Sequence, residues 1–340
     1  MSHPLSELTT LRLGGPAHDL VTAETTSELV AAVRDADASG VPVLIVGGGS
    51  NLVVSDDGWP GVVILVRTRG IELAADADEG VRLSVAAGEP WDAVVARTVA
   101  EGWSGLATMS GIPGLAGATP VQNVGAYGSE IADLLTALTV LDRTTGAVES
   151  WDPDRCRFGF RTSAFKHTDR YVVLDVTMQL VRSPLTGPVR YLELARRLGV
   201  SAGERADSGL VRDVVLGLRS SKGMVLDAAD HDTWSVGSFF VNPFVEPEAV
   251  PDGCPHWEVD GQVKLSAAWL IESSGFGKGY GLQRGAGRVA VSTKHSLALT
   301  NRGGASTAEL LELAAEIRAG VAGRFGIRLR PEAHLIGVEF

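Results

Sequence analysis

Three glycines and a serine follow an apolar run in "VLIVGGGSNLVV", residues 43–54. Glycine lets the backbone approach a ligand closely and turn its N–H groups toward it, which suits the oxygens of a pyrophosphate. The segment is not a P-loop, because no Gly-Lys-Ser/Thr follows, and Leu52 stands where a dinucleotide fingerprint has its third glycine. A phosphate-binding loop and a tight turn between strands both fit. The candidate residues are Gly47, Gly48, Gly49, Ser50, Asn51 and Leu52.

A longer glycine-rich stretch, "GIPGLAGATPVQNVGAYGSE", occupies residues 111–130. Its apolar residues argue against disorder, and an ordered loop of this length inside a compact domain is usually functional. We expect two glycine loops to clasp a large flat ligand that carries phosphate, with amide side chains bonding a heterocycle and a tyrosine stacking on it. A long surface loop is the alternative. The candidates are Gly111, Ile112, Pro113, Gly114, Gly117, Gln122, Asn123, Gly125, Ala126 and Tyr127.

Three polar residues stand among apolar or aromatic neighbours. Arg161, in "CRFGFRTSAFK", has the chemistry to anchor a carboxylate or an anionic intermediate. Ser238, in "SVGSFFVNP", has that of a proton donor, and no G-x-S-x-G elbow supports a nucleophile. Glu332, in "RPEAHLIG", leads into an apolar strand, where partial desolvation would raise its pKa toward acid–base use. Ordinary structural roles compete: a packed surface arginine, a buried serine bonded to backbone, and a glutamate paired with Arg328 or Arg330.

Helix and strand signals that alternate along residues 18–102 predict an α/β unit. Thr25 and Glu28 are spaced as a capping box before an amphipathic helix. "EPWDAVVARTVAEG" predicts a helix with Pro90 in its first turn and Gly102 past its end. "PVLIV", "GVVILV" and "VRLSVAAG" predict strands.

Beyond the long glycine stretch, "LTALTVLDRTTGAVESW" predicts a hairpin and "YVVLDVTMQLV" a long strand. Residues 191–222 are predicted to be helical and residues 223–262 rich in turns. "KLSAAWLIESSG" and "STAELLELAAEIRAGVAGRFG" predict helices, the second with Ser306 and Glu309 as a capping box. "IRLRPEAHLIGVEF" predicts one or two closing strands.

Length and charge narrow the class of protein. The chain has 340 residues, enough for two or three domains, and its formal net charge of −11 disfavours nucleic acid as a partner. Cys156 and Cys254 predict two reduced thiols. The histidines show no metal-ligand spacing, no run approaches the ~20 apolar residues of a membrane span, and the N-terminus lacks a signal peptide. We expect a soluble, cytoplasmic monomer without metal or membrane.

Six motifs together resemble, in this order, the UDP-N-acetylenolpyruvoylglucosamine reductases of peptidoglycan synthesis. They are "VGGGSNLVVSD", "IPGLAGATPVQNVGAYGSEI", "CRFGFRTSAFK", "GSFFVNP", "KLSAAWLIE" and "LRPEAHLIGVEF". The resemblance runs from about Leu11 to Phe340, and "GPVRYLEL" matches the form with a tyrosine-bearing substrate loop.

The resemblance implies an α+β fold. An FAD-binding domain of the vanillyl-alcohol-oxidase type, made of two α/β subdomains, precedes a C-terminal α+β substrate domain. The implied bounds are 11–184 for the FAD-binding domain with a split near 68, 185–222 for a helical connection with the substrate loop, 223–326 for the substrate domain, and 327–340 for a strand returning to the active site.

The resemblance also implies a reaction in two halves. NADPH reduces FAD, and the reduced flavin then gives a hydride to the methylene carbon of the enolpyruvyl ether of UDP-N-acetylglucosamine. A proton from Ser238 completes UDP-N-acetylmuramate, while Arg161 and Glu332 stabilise the enolate-like centre. In this reading the two glycine loops hold FAD. The implied substrate contacts are Tyr191, Arg219, Lys222, Asn242 and His295.

Two departures from the family pattern stand out. "GMVLDAADHDTW", after Lys222, lacks the short proline-bearing run of many relatives, and His295 stands where some relatives carry glutamine. Two other functions fit part of the pattern. Another flavin oxidase or dehydrogenase of this fold would keep the glycine loops, but no histidine in them is placed for a covalent flavin link. A non-catalytic flavin or nucleotide-sugar binder would not need Arg161, Ser238 and Glu332 together.

Overall fold

The structure is a computed structural model that describes residues 3–77, 80–259 and 261–340. The α-helices in these residues are α1 Thr26–Ala38, α2 Trp91–Ala100, α3 Leu192–Leu198, α4 Ser208–Ser221, α5 Ala267–Ser273 and α6 Thr307–Phe325. Short 3₁₀ helices span Leu5–Glu7, Ala107–Met109, Ala116–Ala118, Ile131–Asp133, His231–Thr233 and Pro247–Ala249. None of the described helices is both long and apolar enough to cross a membrane.

The strands in the same described residues are short for the most part. They are β1 His3–Pro4, β2 Pro16–Ala23, β3 Val43–Val46, β4 Leu52–Val54, β5 Trp59–Val66, β6 Ile71–Ala77, β7 Gly80–Ala86, β8 Trp103–Ser104, β9 Gly125–Ala126, β10 Ser129–Glu130, β11 Leu135–Asp142, β12 Ala147–Trp151, β13 Tyr171–Arg182, β14 Phe244–Val245, β15 His256–Val259, β16 Gln262–Leu265, β17 Val289–Val291, β18 Leu299–Asn301 and β19 His334–Ile336.

Both predicted capping boxes are confirmed. At the start of α1 the Thr25 hydroxyl accepts the Glu28 N–H at 3.2 Å, and the Glu28 carboxylate accepts the Thr25 N–H at 3.1 Å. At the start of α6 the Ser306 hydroxyl accepts the Glu309 N–H at 3.1 Å, and the carboxylate accepts in return at 2.9 Å. α6 ends at Gly326, whose φ of 71° is left-handed, so glycine fits there.

The described chain packs as two compact units, each built from separate pieces of sequence. Unit 1 comprises Met1–His18, Gly49–Trp59 and Ser221–Phe340, and unit 2 comprises Asp19–Gly48 and Pro60–Ser220. The boundaries between the units differ from the predicted domain edges, because nearly all of the predicted helical connection, residues 185–222, packs with unit 2. The edges of the functional domains stay a prediction.

Unit 2 contains two sheets and their helices. One sheet has the order β12-β11-β13-β7-β6, with β8 paired to β13, and all of these pairings are antiparallel. The other places β5 between β2 and β3, with β3 and β5 parallel. The fully buried Trp91 of α2 packs in the core of the first sheet with Leu83, Val176 and Met178. α3 and α4 form a separate apolar cluster centred on Leu194 and Val215.

Unit 1 packs around α6. Leu310, Ile317 and Val321 of this helix are fully buried with Phe239 and Phe240. Strands β14-β16-β15 form a small sheet, β17 and β18 form an antiparallel pair, and β19 lies parallel to β4.

The structure corrects three local predictions. Residues 191–222 are not one helical stretch, because α3 stops at Gly199, whose φ is 71°, and α4 begins only at Ser208. "KL" of "KLSAAWLIESSG" ends strand β16, and α5 starts after Ser266, whose hydroxyl accepts the Trp269 N–H. Pro90 precedes α2 as its N-cap and is not in its first turn.

Candidate functional site

The two predicted glycine loops touch each other within unit 2. A Cβ placed on Gly48, just after β3, would lie 2.7 Å from the Cα of Gly114, and one placed on Gly117 would lie 2.4 Å from the Cβ of Ala87. Carbon atoms in contact stay about 3.5–4.0 Å apart, so only glycine fits at either position. Bare backbone from two distant segments therefore forms one surface.

Segment 111–117 is tied to the start of α2. The Gly111 N–H donates to Oδ1 of Asp92 at 2.6 Å, and the Trp91 N–H donates to the Gly114 carbonyl at 3.0 Å. Arg212 of α4 donates to both carboxylate oxygens of Asp92, at 2.7 and 2.8 Å. The Arg212 hydrogen bond holds the pKa of Asp92 below its usual range, so this anchor is charged at neutral pH.

Asn123 holds the second half of the glycine-rich stretch together. The residue is buried, with a left-handed φ of 46°. Its Nδ2 donates to the Glu130 carboxylate at 2.6 Å and to the Gly159 carbonyl at 3.2 Å, and its Oδ1 accepts the Ala132 N–H at 3.1 Å. Both Nδ2 hydrogens thus serve the loop itself. Asn123 therefore holds the loop in place, and its predicted contact with a heterocycle stays a prediction.

Arg161 reaches the same loop. Its guanidinium donates to the carbonyls of Gly125 at 2.8 Å and Asn123 at 3.3 Å, and its own carbonyl accepts from Lys166 Nζ at 2.8 Å. Its φ of 53° is left-handed, which is uncommon for a residue with a long side chain. The predicted catalytic arginine and the predicted cofactor loop are therefore joined by direct hydrogen bonds.

Tyr127, Tyr191 and Arg219 lie close together in unit 2. The two tyrosine rings meet edge to face with their centroids 5.3 Å apart. Tyr191 stands directly before α3 and is 42% exposed. Burial raises the pKa of the Tyr127 hydroxyl, and the positive charge of Arg219 opposes that shift. Residues predicted for the cofactor and for the substrate thus share one cluster.

Ser238, Glu332 and His295 converge in unit 1. The Glu332 N–H donates to the Phe239 carbonyl at 2.8 Å, and the Phe239 N–H donates to the Leu297 carbonyl at 2.8 Å. These bonds hold the segment after Ser238 between the C-terminal segment and the loop of His295. Ser238 Oγ lies 3.5 Å from His295 Nε2, the upper limit of a hydrogen bond.

The rest of the predicted first loop also lies in unit 1. Asn51 accepts the His334 N–H at 2.8 Å through its carbonyl, and its Nδ2 lies 3.4 Å from the Glu332 carbonyl. A Cβ on Gly49 would lie 1.9 Å from the Leu8 carbonyl oxygen, so this position also requires glycine. Asn51 therefore helps to fix the backbone that carries Glu332.

Two further predicted substrate contacts lie in unit 1. Lys222 is half-buried and directly follows α4. Asn242 Oδ1 accepts the Ala267 N–H at the start of α5, at 3.0 Å. Since that oxygen serves the fold, a substrate contact of Asn242 would use Nδ2.

Sequence reasoning did not find Asp92 or Asp232, which anchor two of these loops. Asp92 carried one weak signal, because the helix dipole stabilises a carboxylate in the first turn of a helix. Asp232 carried none, since its partners Ser292, Thr293 and Arg302 lie about sixty residues or more along the chain.

Comparison with known proteins identifies two domains. Residues 17–151 match the FAD binding domain family, and residues 229–336 match the UDP-N-acetylenolpyruvoylglucosamine reductase C-terminal domain family. The crystal structure of UDP-N-acetylenolpyruvylglucosamine reductase from Thermus caldophilus superposes with a TM-score of 0.70 at 25% identity, covering 99% of this chain and 98% of that one.

Curated relatives align over nearly the whole chain. The UDP-N-acetylenolpyruvoylglucosamine reductase of Salinispora arenicola is 53% identical, with 98% of this chain and 94% of the relative covered. That of Thermobifida fusca is 52% identical, with 98% and 97% covered.

The matched domains define a flavoprotein: an α+β protein in which an FAD-binding domain is followed by a C-terminal substrate domain, as predicted. It is an FAD-dependent oxidoreductase that uses NADPH. With identity above 50% over almost its full length, the chain belongs to the UDP-N-acetylenolpyruvoylglucosamine reductase family.

Proposed function

We propose that Ser238, Arg161 and Glu332 carry the substrate chemistry in this chain. The reaction is the FAD-dependent reduction of the enolpyruvyl ether of UDP-N-acetylglucosamine in peptidoglycan synthesis. The observation that carries the proposal is the hydrogen bond from the Glu332 N–H to the carbonyl of Phe239. Phe239 directly follows Ser238, so this bond holds the two candidate acids close together.

The residues of unit 2 fit FAD. Backbone at Gly47, Gly48 and Gly114, where the two loops come into close contact, would offer N–H groups to a diphosphate. When bound, FAD supplies the hydride chemistry that links NADPH to the substrate. Segment 122–127, held by Asn123, would lie along the flavin, and we assign the remaining glycine-loop residues to the same cofactor.

Ser238 has the chemistry of a general acid. Its hydroxyl is half-buried and keeps its proton at all ordinary pH values, so it reaches the substrate carbon only as a donor. Glu332 adjoins it through the Phe239 pairing, and a carboxylic acid there would donate to the developing enolate oxygen while protonated. Arg161, fixed to the Gly125 carbonyl, would pair its guanidinium with the substrate carboxylate.

Tyr191, Arg219, Lys222, Asn242 and His295 are the proposed substrate contacts. Arg219 and Lys222 supply positive charge, which suits a diphosphate. Tyr191 is the most exposed of the aromatic pair, so its ring is available to a nucleotide-sugar without breaking the core.

We further propose that the enzyme acts as a cytoplasmic monomer whose partners are small molecules. Both cysteines are free and buried, which is typical of a reducing compartment. The net charge of −11 opposes a polyanionic partner such as nucleic acid.

The proposal is tested by Ser238→Ala with the two half-reactions measured separately. NADPH should reduce the bound flavin at a rate within about twofold of wild type. Reoxidation by the enolpyruvyl substrate should slow by on the order of 10²–10³, the usual effect of removing one such donor. Ser274→Ala is the matched control, because the Ser274 hydroxyl donates to the Leu270 carbonyl at the end of α5, a local bond of that helix. Normal reoxidation by Ser238→Ala would show that the proton comes from elsewhere.

A further inference from the structure

We propose that His295 returns a proton to Ser238 during the substrate half-reaction. The inference rests on the proposed role of Ser238 as the donor. Its basis is the 3.5 Å contact between Ser238 Oγ and His295 Nε2. Contacts of this kind are often long before substrate binds and shorten in the reacting complex.

A serine hydroxyl is a poor acid, so unaided donation would leave a costly alkoxide. Histidine is the side chain whose charge changes most readily near neutral pH, and it can supply a replacement proton as the first one leaves. The pairing therefore gives the weak acid a proton source within reach.

The proton balance is simple. The Ser238 O–H bond breaks as the C–H bond to the substrate carbon forms, and its electron pair stays on Oγ. The Nε2–H bond of the His295 imidazolium breaks as a new O–H bond forms on Ser238. His295 is left as neutral imidazole and takes a proton from water before the next turnover. No electrons are transferred in this step.

The backbone around His295 is held in a closed loop. The Ser292 hydroxyl accepts the N–H groups of Lys294 at 3.0 Å and His295 at 3.3 Å. The Ser292 N–H donates to the Ala298 carbonyl at 2.8 Å, and the Ala298 N–H donates back to the His295 carbonyl at 3.1 Å. The backbone that carries the imidazole is therefore fixed by hydrogen bonds within its own loop.

Buried Asp232 holds the loop of His295 in place through hydrogen bonds. Its carboxylate accepts the Ser292 hydroxyl at 2.9 Å, the Thr293 N–H at 2.8 Å and Arg302 Nη1 at 2.8 Å. Burial acts to raise the pKa of Asp232, but hydrogen bonds from Thr293 and Ser292 and the charge of Arg302 hold it below its usual value. Nearby Lys294 is paired with Asp230 at 2.5 Å. Asp232 is thus a fixed anion that keeps the His295 loop in place.

The test is a double-mutant cycle of Ser238→Ala and His295→Gln, read from single-turnover reoxidation of the pre-reduced holoenzyme by the enolpyruvyl substrate. Glutamine is similar in reach and hydrogen-bonds, but it cannot pass a proton. We expect His295→Gln alone to slow reoxidation by on the order of 10², with a changed solvent deuterium isotope effect. Flavin reduction by NADPH and FAD retention should stay at the wild-type level.

In the Ser238→Ala background, adding His295→Gln should change the rate by less than about twofold, because a relay acts only through its partner. Equal slowing in both backgrounds would overturn the relay and leave the proposed function intact. So would a His295→Gln enzyme with wild-type reoxidation, or one whose only change is a raised KM, which would indicate a direct substrate contact. Wild-type reoxidation by Ser238→Ala would instead remove the proposed function, and the relay with it.

Discussion

The contact between Gly48 and Gly114 makes a quantitative prediction about cofactor binding. In Gly48→Ala the new methyl group would lie 2.7 Å from the Gly114 Cα, about 1 Å inside normal carbon contact. Gly114 cannot easily move away, because its carbonyl accepts the Trp91 N–H at the start of α2. The two glycine loops must therefore separate.

Overpacking of this kind costs about 1–3 kcal/mol. The apoprotein can relieve this strain by moving the two loops apart. FAD binding must then bring the loops back to their native spacing, so the free-energy cost of the overpacking weakens the affinity for FAD. At ~1.4 kcal/mol per factor of ten, the Kd for FAD should rise about 5- to 140-fold.

Flavin fluorescence during titration of the apoprotein measures this Kd, and thermal unfolding with and without FAD measures the strain. Gly217→Ala in α4 is the matched control, since a Cβ there meets nothing within 4 Å. It should leave the Kd unchanged and stabilise the helix by up to about 1 kcal/mol. If Gly48→Ala binds FAD within twofold of wild type, the reasoning is refuted, whether or not its stability falls.

Three further predictions follow from local chemistry. Asp92→Asn should lower the thermal unfolding temperature at neutral pH. Because Arg212 lowers the native pKa of Asp92, the stability advantage of wild type should be full above about pH 4 and should shrink as the pH falls through that lowered pKa. A stability difference that does not depend on pH would contradict this prediction. Burial raises the pKa of Cys156 to about 12, which leaves a thiolate fraction of roughly 10⁻⁴ at pH 8. Both cysteines are buried, so thiol reagents should label Cys156 and Cys254 only after unfolding, and rapid labelling of the native protein would refute this prediction. Ser306→Ala removes the cap of α6 and should lower the free energy of unfolding by ~1 kcal/mol in denaturant titrations, whereas no change would mean that the box is redundant.

Local signals in the sequence predicted much of the fold. The capping boxes at Thr25 and Ser306 place the starts of α1 and α6 because a cap needs only residues three positions apart. The glycine segments were also visible in the sequence, because a run of glycines is itself the signal that backbone atoms come into close contact there. The resemblance of six motifs supplied the family and the cofactor, which residue chemistry alone had left as a large ligand that carries phosphate.

Long-range contacts set the rest, and the sequence could not show them. Nothing in "VQNVG" indicates that Asn123 bonds Glu130 and Gly159, or that Arg161 reaches the carbonyl of Gly125. The break after α3 was missed because the segments on both sides of it are good helix formers, although Gly199 and Gly203 with left-handed backbone lie within it. Side chains that looked free to bind ligand are partly engaged in holding the loops.

The visible spectrum of the oxygen-free holoenzyme reports both half-reactions in one experiment, with NADPH added first and the enolpyruvyl nucleotide sugar second. We expect NADPH to bleach the flavin band and the sugar to restore it as UDP-N-acetylmuramate forms. A band that NADPH bleaches and the sugar leaves bleached would contradict the substrate assignment. Failure of the protein to retain FAD would contradict the role given to the glycine loops.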